Sequence, residues 1–355
     1  MSLVQIRPLN ASPAVSGPPL VDRADRRVRY LRVSLTDRCN YRCTYCMPDR
    51  HIEYGARADL LSLEEVATLV AAFAKWGVRR VRLTGGEPTL RKGLVDLVAA
   101  LTAIETDEGR PLQVVMTTNG ERLAEFVAPL KAAGLAGVTV SIDSLDATRF
   151  TQITRRGSLS AVREGLAAAA EAFGEKLKTN TVALAGFNDD ELVDLAELSW
   201  SIGATPRFIE LMPMSGGELF APGELLPAAE IRDRISKGVG AALRADDGGS
   251  AKGAGPATYW RVAEGRWAGR RIGTIAAMSE NFCATCNRLR VSATGQLHAC
   301  LARDDTGDLR GALRSPDPNR LETVVRAALG TKRDTHGFNM DGTGGPTKAM
   351  VSIGG

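Results

Sequence analysis

The chain has 355 residues, of which 44% are hydrophobic and 24% are charged, which is ordinary for a globular protein. Its formal net charge of +4 is too small to indicate a nucleic-acid-binding protein, although basic side chains that converge on one point suit an anionic small molecule. No apolar run is long enough to span a bilayer, and residues 1–20 lack the apolar core of a signal peptide. We therefore expect a cytoplasmic protein with a flexible leader over residues 1–27, bound to neither a membrane nor a nucleic acid.

Strands and helices alternate along the first part of the chain. Strands are predicted over residues 29–36, 78–84, 113–118, 137–142, 176–184 and 207–212. Helices are predicted over 62–76, 91–105, 121–133, 146–173 and 189–202, the first with Ser62 and Glu65 as a capping box. This alternation is typical of a parallel α/β sheet. Because six units are fewer than the eight of a closed barrel, we expect a partial, six-stranded TIM-like barrel over 28–225.

Apolar and polar residues alternate within the predicted strands. In the first strand, Leu31 and Val33 alternate with Arg32, Ser34 and Thr36. The second and fourth strands repeat the pattern, with polar positions Arg80, Arg82, Thr84, Thr139, Ser141 and Asp143. Helices must cover the apolar faces, so the polar faces point into the barrel. This predicts a solvated cavity whose cations hold an anionic ligand; the alternative is a one-sided sheet with a wet face.

The six cysteines form two separate triplets. Cys39, Cys43 and Cys46 follow the first strand, and Cys283, Cys286 and Cys300 lie near the other end of the chain. In a reducing compartment such triplets indicate metal or cluster sites rather than disulfides, since thiolates suit iron–sulfur clusters or zinc. Three cysteines leave one iron of a four-iron cluster open. A zinc site also fits the second triplet, with His298 as a fourth ligand, and the spacing alone suits either metal.

The composition changes after residue 213. Loops rich in Gly, Ala and Pro are predicted over 214–225 and 245–258, and helices over 227–237 and 319–330. Two short strands, 259–262 and 271–276, flank a turn at 265–269. We therefore expect a C-terminal extension over 226–340 that carries the second triplet, followed by a glycine-rich tail over 341–355.

Several motifs together carry a resemblance to a known family. The C-x3-C-x2-C spacing, with Tyr45 before its last cysteine, and the turn Gly85-Gly86-Glu87-Pro88 resemble the radical S-adenosylmethionine superfamily. Within it, the chain from about residue 25 onward resembles the GTP 3′,8-cyclases of molybdenum cofactor biosynthesis. The matching stretches are 31–40, 46–48, 82–88, 117–120, 140–145, 207–213, 282–290 and the terminal Gly354-Gly355.

The resemblance implies a radical lyase with two 4Fe–4S clusters, one on each cysteine triplet. The open iron of the first would chelate S-adenosylmethionine, and that of the second would bind the guanine ring of GTP. A 5′-deoxyadenosyl radical would abstract the ribose 3′ hydrogen, and C3′ would bond to guanine C8 to give (8S)-3′,8-cyclo-7,8-dihydroguanosine 5′-triphosphate. The alternatives are another two-cluster radical enzyme that modifies a peptide or other molecule, and a zinc-stabilised binding module.

The resemblance also implies site residues. Contacts to S-adenosylmethionine are expected from Tyr45, Gly86, Glu87, Ser141 and Met212. Contacts to GTP are expected from Arg32, Arg80, Arg82, Thr117, Lys178, Arg288, Leu289 and Arg290. Catalytic roles are expected for Arg207, Arg288 and Arg290, and the diglycine tail would reach the active site. Because Arg207 and Met212 have opposite parity on the sixth strand, we expect a bulge or a backbone contact there.

Partners are implied in the same way. The resemblance implies an external reducing electron donor, a homodimer, and a downstream cyclic pyranopterin monophosphate synthase that receives the product.

Overall fold

The computed structural model describes residues 6, 17–49, 54–246 and 255–354, and one sheet of twelve strands organises them. The strands are β1 (Tyr30–Ser34), β2 (Arg80–Thr84), β3 (Gln113–Thr118), β4 (Gly137–Ser141), β5 (Lys178–Ala183), β6 (Thr205–Glu210), β7 (Leu243–Ala245), β8 (Thr258–Val262), β9 (Arg271–Ile275), β10 (Arg288–Val291), β11 (Gln296–His298) and β12 (Thr306–Asp308). The helices are α1 (Leu63–Lys75), α2 (Leu94–Thr102), α3 (Leu123–Ala132), α4 (Ala147–Thr154), α5 (Leu159–Phe173), α6 (Leu192–Ser201), α7 (Ala228–Val239), α8 (Leu309–Leu313), α9 (Arg320–Gly330) and α10 (Met350–Ile353).

The predicted partial barrel is confirmed. Strands β1 to β6 pair in chain order and run parallel, each followed by at least one helix. The sheet is wider than expected, because β10 pairs in parallel with β1 at one edge and β9 pairs in parallel with β6 at the other. Antiparallel strands continue both edges, so hydrogen bonds do not close the barrel.

The predicted alternation of faces also appears. Leu31, Val33, Val81 and Leu83 are completely buried in the core between sheet and helices. The first helix begins as expected, with the Ser62 hydroxyl accepting from the Glu65 backbone and the Glu65 carboxylate accepting from the Ser62 backbone. The sheet therefore has one apolar face, covered by helices, and an inner face left for polar side chains.

Both ends of the described chain pack against the barrel. The Leu20 backbone donates to Trp76 O at 3.0 Å and Arg26 is buried, so the chain is already packed within the segment expected to be a leader. At the other end, the backbones of Ser215 and Gly216 donate to the carbonyls of Lys348 and Pro346 at 3.3 and 2.8 Å. The glycine-rich tail thus runs along the loop that follows β6. In the described part of the chain, no helix has the length and apolarity needed to cross a membrane.

Candidate active site

All six cysteines line one cavity of about 1090 Å³ on the inner face of the sheet. The first triplet follows the carboxyl end of β1, whereas Cys286 lies just before the amino end of β10. Because β1 and β10 are parallel and Tyr30 is paired with Arg288, the two triplets lie at opposite ends of these strands. The inner faces of the strands connect them.

The loop of the first triplet is fixed by backbone hydrogen bonds. The Arg42 and Thr44 amides donate to Thr154 and Ile153 at the end of α4, each at 2.9 Å, and the Cys46 amide donates to Cys43 O at 3.0 Å. Burial raises the pKa of the Cys39 thiol, and likewise that of Cys46, to about 12. Burial of these thiols makes their ionisation unfavourable, and the positive charge of bound iron would offset that free-energy cost. The donor set therefore fits a cluster.

The glycine-rich turn after β2 packs directly on this loop. The Gly86 amide donates to Thr36 O at 2.6 Å, and the Glu87 amide donates to Arg38 O at 2.9 Å. A side chain on Gly86 would overlap the Arg38 carbonyl, so the close approach requires glycine. The turn thus positions the cysteine loop as well as lining the cavity.

The Glu87 carboxylate is buried and accepts hydrogen bonds from neighbouring residues. Its oxygens accept from the Thr89 amide at 3.0 Å, the Thr89 and Thr118 hydroxyls at 2.7 Å each, and the Asn119 amide at 2.8 Å. Burial raises the pKa of Glu87 despite these bonds. Three of the four bonds fall on Oε1, so Oε2 keeps the greater accepting capacity, and Glu87 lines the cavity.

Tyr45 and Asp143 form a second polar pair in the cavity. The Tyr45 hydroxyl donates to Asp143 Oδ2 at 2.8 Å, and Oδ1 accepts from the Val182 amide at 2.8 Å. Burial raises the pKa of Asp143 to about 6. Ser141, two residues earlier on the same face of the strand, also lines the cavity. Its predicted cofactor contact remains a prediction, as do those of Tyr45, Gly86 and Glu87.

Cations from three adjacent strands lie side by side between the triplets. The register pairs Arg32 with both Arg82 and Arg290, and pairs Tyr30 with both Arg80 and Arg288. All of these side chains line the cavity, as do Thr117 and Lys178. The predicted inward parity of the first two strands is therefore observed.

Neutral hydroxyl groups accept hydrogen bonds from two buried arginines of the cavity. Arg82 Nη1 donates to the hydroxyls of Thr117 at 2.7 Å and Thr139 at 3.1 Å, and its Nε donates to the Tyr30 hydroxyl. Arg207 Nη2 donates to the same Thr139 hydroxyl at 3.1 Å. In the described ranges, no carboxylate lies within ion-pair distance of Arg82 or Arg207. The cavity therefore carries positive charge that an anionic ligand can balance.

Two tyrosines that sequence reasoning missed contribute to this region. Burial alone would raise the pKa of Tyr30, but the charge and hydrogen bond of Arg82 outweigh it and lower the value to about 8. Tyr259, on β8, accepts from Lys178 Nζ at 3.4 Å. Tyr30 has the same strand parity as Arg32, so the sequence pattern contained its signal. Tyr259 reaches the cavity through a distant hairpin that local patterns do not place.

The second triplet lies on a turn before β10 and at the end of β11. The Cys286 amide donates to Cys283 O at 3.1 Å, and Arg288 Nη2 lies 3.6 Å from Cys286 Sγ. Burial alone would raise the pKa of Cys286, but the charges of Arg288 and Lys332 lower it to about 6. The surroundings of this sulfur therefore favour a thiolate ligand.

His298 does not line the cavity. It is buried on β11, where burial and the charges of Lys348 and Arg290 lower its pKa to about 4. Among the residues that the structure describes, no three His, Cys, Asp or Glu side chains converge closely enough to hold a single metal ion. The expected fourth zinc ligand, His298, thus lies outside the cavity that the three cysteines of the second triplet line.

Three other predicted residues differ in how they reach the site. Leu289 is completely buried and its side chain does not line the cavity, so only its backbone can face a ligand. Arg207 and Met212 both line the cavity. The expected bulge is unnecessary, because β6 ends at Glu210 and Met212 lies in the following loop.

The C-terminal tail reaches the cations. Gly354 O accepts from Arg32 Nε at 3.2 Å and from Arg290 Nη1 at 2.7 Å. Gly355, the second predicted glycine, lies outside the described residues. The tail therefore occupies acceptor positions on two arginines predicted to bind substrate.

Comparisons with known proteins match most of the chain. Residues 33–199 match the model of the Radical SAM superfamily, and residues 204–338 match the model named Molybdenum Cofactor Synthesis C. The chain is 43% identical over 336 residues to the GTP 3',8-cyclase of Rhizobium meliloti (strain 1021), covering 94% of this chain and 92% of that relative. It is 41% identical over 316 residues to the GTP 3',8-cyclase of Pelotomaculum thermopropionicum (strain DSM 13744 / JCM 10971 / SI), covering 89% and 94%.

Among solved structures, that of Streptococcus suis SuiB bound to S-adenosylmethionine matches with a TM-score of 0.49 at 14% identity, over 60% of this chain and 48% of that chain. The sequence matches have the identity and the coverage that define a family relationship. The chain belongs to the GTP 3',8-cyclase family, within the radical S-adenosylmethionine superfamily.

Proposed function

We propose that this protein is a GTP 3′,8-cyclase that converts GTP into (8S)-3′,8-cyclo-7,8-dihydroguanosine 5′-triphosphate, the first step of molybdenum cofactor biosynthesis. The observation that carries the proposal is a single cavity with a cysteine triplet at each end of β1 and β10 and cations between them. A nucleoside triphosphate is long enough and anionic enough to use such a cavity, whereas a peptide gives no reason for so many cations.

The first end of the cavity would hold a 4Fe–4S cluster on Cys39, Cys43 and Cys46, with S-adenosylmethionine beside it. When bound, they would supply a carbon-centred radical able to remove hydrogen from an unactivated C–H bond. The turn at Gly86 and Glu87 would position that chemistry. Oε2 of Glu87 is an acceptor suited to the ammonium of the methionine moiety.

The middle of the cavity would bind the triphosphate. Guanidinium forks suit phosphate oxygens, and Arg32, Arg80 and Arg82 line the same cavity as Lys178. Hydrogen bonds to the Thr117 and Thr139 hydroxyls orient the Arg82 guanidinium before substrate arrives. The substrate contacts of these residues are part of the proposal.

The second end would hold another 4Fe–4S cluster, on Cys283, Cys286 and Cys300, and would receive the guanine ring. Arg288 and Arg290 enter the cavity from the strand that follows this triplet. We propose that they assist the final electron and proton step, with Arg207. Leu289 would contribute only through its backbone.

Four further proposals concern the reductant, the downstream enzyme, the oligomeric state and the compartment. The enzyme needs an external one-electron reductant. Its product is a substrate for a separate cyclic pyranopterin monophosphate synthase. We also propose a homodimer located in the cytoplasm.

The test is anaerobic reconstitution with iron and sulfide, followed by incubation with S-adenosylmethionine, dithionite and GTP. We expect formation of 5′-deoxyadenosine that depends on GTP, together with the cyclised nucleotide, and iron for two clusters per chain. Cleavage of S-adenosylmethionine at the same rate without GTP, or with a peptide in its place, would contradict the proposal.

A further inference from the structure

Lys332 lies behind the second cysteine triplet, outside the cavity lining. It follows α9 and is only 5% exposed. Its ammonium donates to three acceptors: Cys286 Sγ at 3.4 Å, Arg288 O at 3.0 Å and Ala299 O at 2.9 Å. These acceptors belong to the two chain segments, or arms, that carry the triplet: one arm contains Cys286 and Arg288, and the other contains Ala299, which immediately precedes Cys300. One side chain therefore joins the two segments that present Cys286 and Cys300.

The ammonium of Lys332 lies against one sulfur and two backbone carbonyls. In the part of the chain that the structure describes, the ion pairs do not include Lys332. A buried ammonium is costly unless an anion lies beside it. Of its three acceptors, only the Cys286 sulfur can carry negative charge. The site is therefore built for an anionic sulfur at this position.

Arg26, which contacts the same triplet through the Cys283 carbonyl, provides a contrast. It is also buried, but its Nε pairs with Asp22 Oδ2 at 2.6 Å, so its charge is neutralised locally. Its Nη1 donates to the carbonyl of Cys283 at 2.7 Å and its Nη2 donates to the carbonyl of Arg333 at 3.1 Å. Arg26 thus anchors the backbone of the turn, whereas Lys332 also places a net charge beside a ligand atom.

We infer that Lys332 is a positioning residue for the second cluster. Lys332 holds the Cys286 and Cys300 segments in place, and its charge stabilises the reduced cluster. The inference rests on the proposed function, since it concerns the cluster assigned there. Hydrogen bonds and charges around ligand sulfurs are known to set cluster reduction potentials. A cation beside the sulfur favours the state with one more electron, so removing it shifts the midpoint potential to a more negative value.

The test uses the full chain with Cys39, Cys43 and Cys46 replaced by serine, so that only the second triplet can hold iron. In this background Lys332→Met removes the charge at similar length, and Lys332→Arg keeps it. Lys75→Met, on the exposed face of α1, is the matched control. Iron and sulfide are counted after reconstitution, and the midpoint potential is measured by a titration followed by electron paramagnetic resonance.

We expect Lys332→Met to lower the midpoint potential or to lose iron, while Lys332→Arg and Lys75→Met stay close to the parent. An unchanged potential and iron content in Lys332→Met would overturn the inference, as would equal damage in Lys332→Arg. Iron absent from the parent itself would instead refute the second cluster of the proposed function.

A second measurement needs no cluster. In the metal-free chain with all six cysteines, Lys332→Met should accelerate backbone hydrogen exchange in peptides that cover 283–290 and 297–301. Peptides that cover 39–46 should exchange at the wild-type rate. Unchanged exchange around both arms of the second triplet would overturn the positioning role.

Discussion

Tyr30 is a phenol close to several cations of the cavity, and its ionisation would place a negative charge among them. Its neighbours Arg82, Arg32 and Arg207 favour the phenolate, and the pKa falls to about 8 although burial opposes this. Below that value the phenol is neutral and leaves the full charge of Arg82 for a ligand. Above it, the phenolate neutralises Arg82 and repels phosphate oxygens.

The affinity for GTP should therefore decrease as the pH rises through about 8. Isothermal titration with GTP between neutral pH and moderately alkaline pH measures the change. Tyr30→Phe cannot ionise, so its affinity should stay level over the same range. An equal decrease in Tyr30→Phe would assign the pH dependence to another group. Lys178 is one such group, because burial lowers its pKa.

At the scale of elements, the close packing of the turn after β2 on the cysteine loop couples two motifs that are far apart in sequence. A methyl group on Gly86 would overlap the Arg38 carbonyl and meet the Cys39 amide. Backbone atoms cannot move aside as a flexible side chain can, so the loop must shift. Gly86→Ala should therefore impair the first cluster and spare the second.

Iron analysis after reconstitution checks this expectation. Gly86→Ala should retain about half of the wild-type iron, because one of two four-iron clusters is lost. Gly223→Ala is the control, since nothing lies within 4 Å of the added carbon. A full complement of iron in Gly86→Ala, with unchanged binding of S-adenosylmethionine, would show that the loop tolerates the displacement.

Local periodicity predicted those parts of the site that lie on one strand. The alternation around Arg32 and Arg82 requires only neighbours in sequence, so it correctly indicated which side chains face inward. The pairing of β10 with β1 joins distant parts of the chain, and no local pattern encodes it. For the same reason Tyr259 was missed, and Met212 was assigned a strand parity although β6 ends before it.

At the scale of the whole molecule, the C-terminal region adds strands to both edges of the barrel sheet. Strands β9 and β10 extend the parallel sheet at its two edges, and the tail returns to Arg32 and Arg290. The domain boundary expected near residue 225 thus divides a continuous sheet. Each triplet nevertheless has its own supports, since the turn at Gly86 contacts the first and Lys332 contacts the second.

This separation predicts that each cluster can be lost without the other. Cys283→Ser should keep about half of the wild-type iron and should still bind S-adenosylmethionine. It should lose the dependence of 5′-deoxyadenosine formation on GTP, because the guanine end of the cavity is incomplete.

Cys46→Ser is the reciprocal variant: it should keep a similar share of iron and bind GTP, but form no 5′-deoxyadenosine. Iron counts, equilibrium binding of both ligands and product analysis on the two variants test these expectations. Loss of all iron in either variant would mean that the two ends fold as one unit, and wild-type GTP dependence in Cys283→Ser would remove the second triplet from substrate recognition.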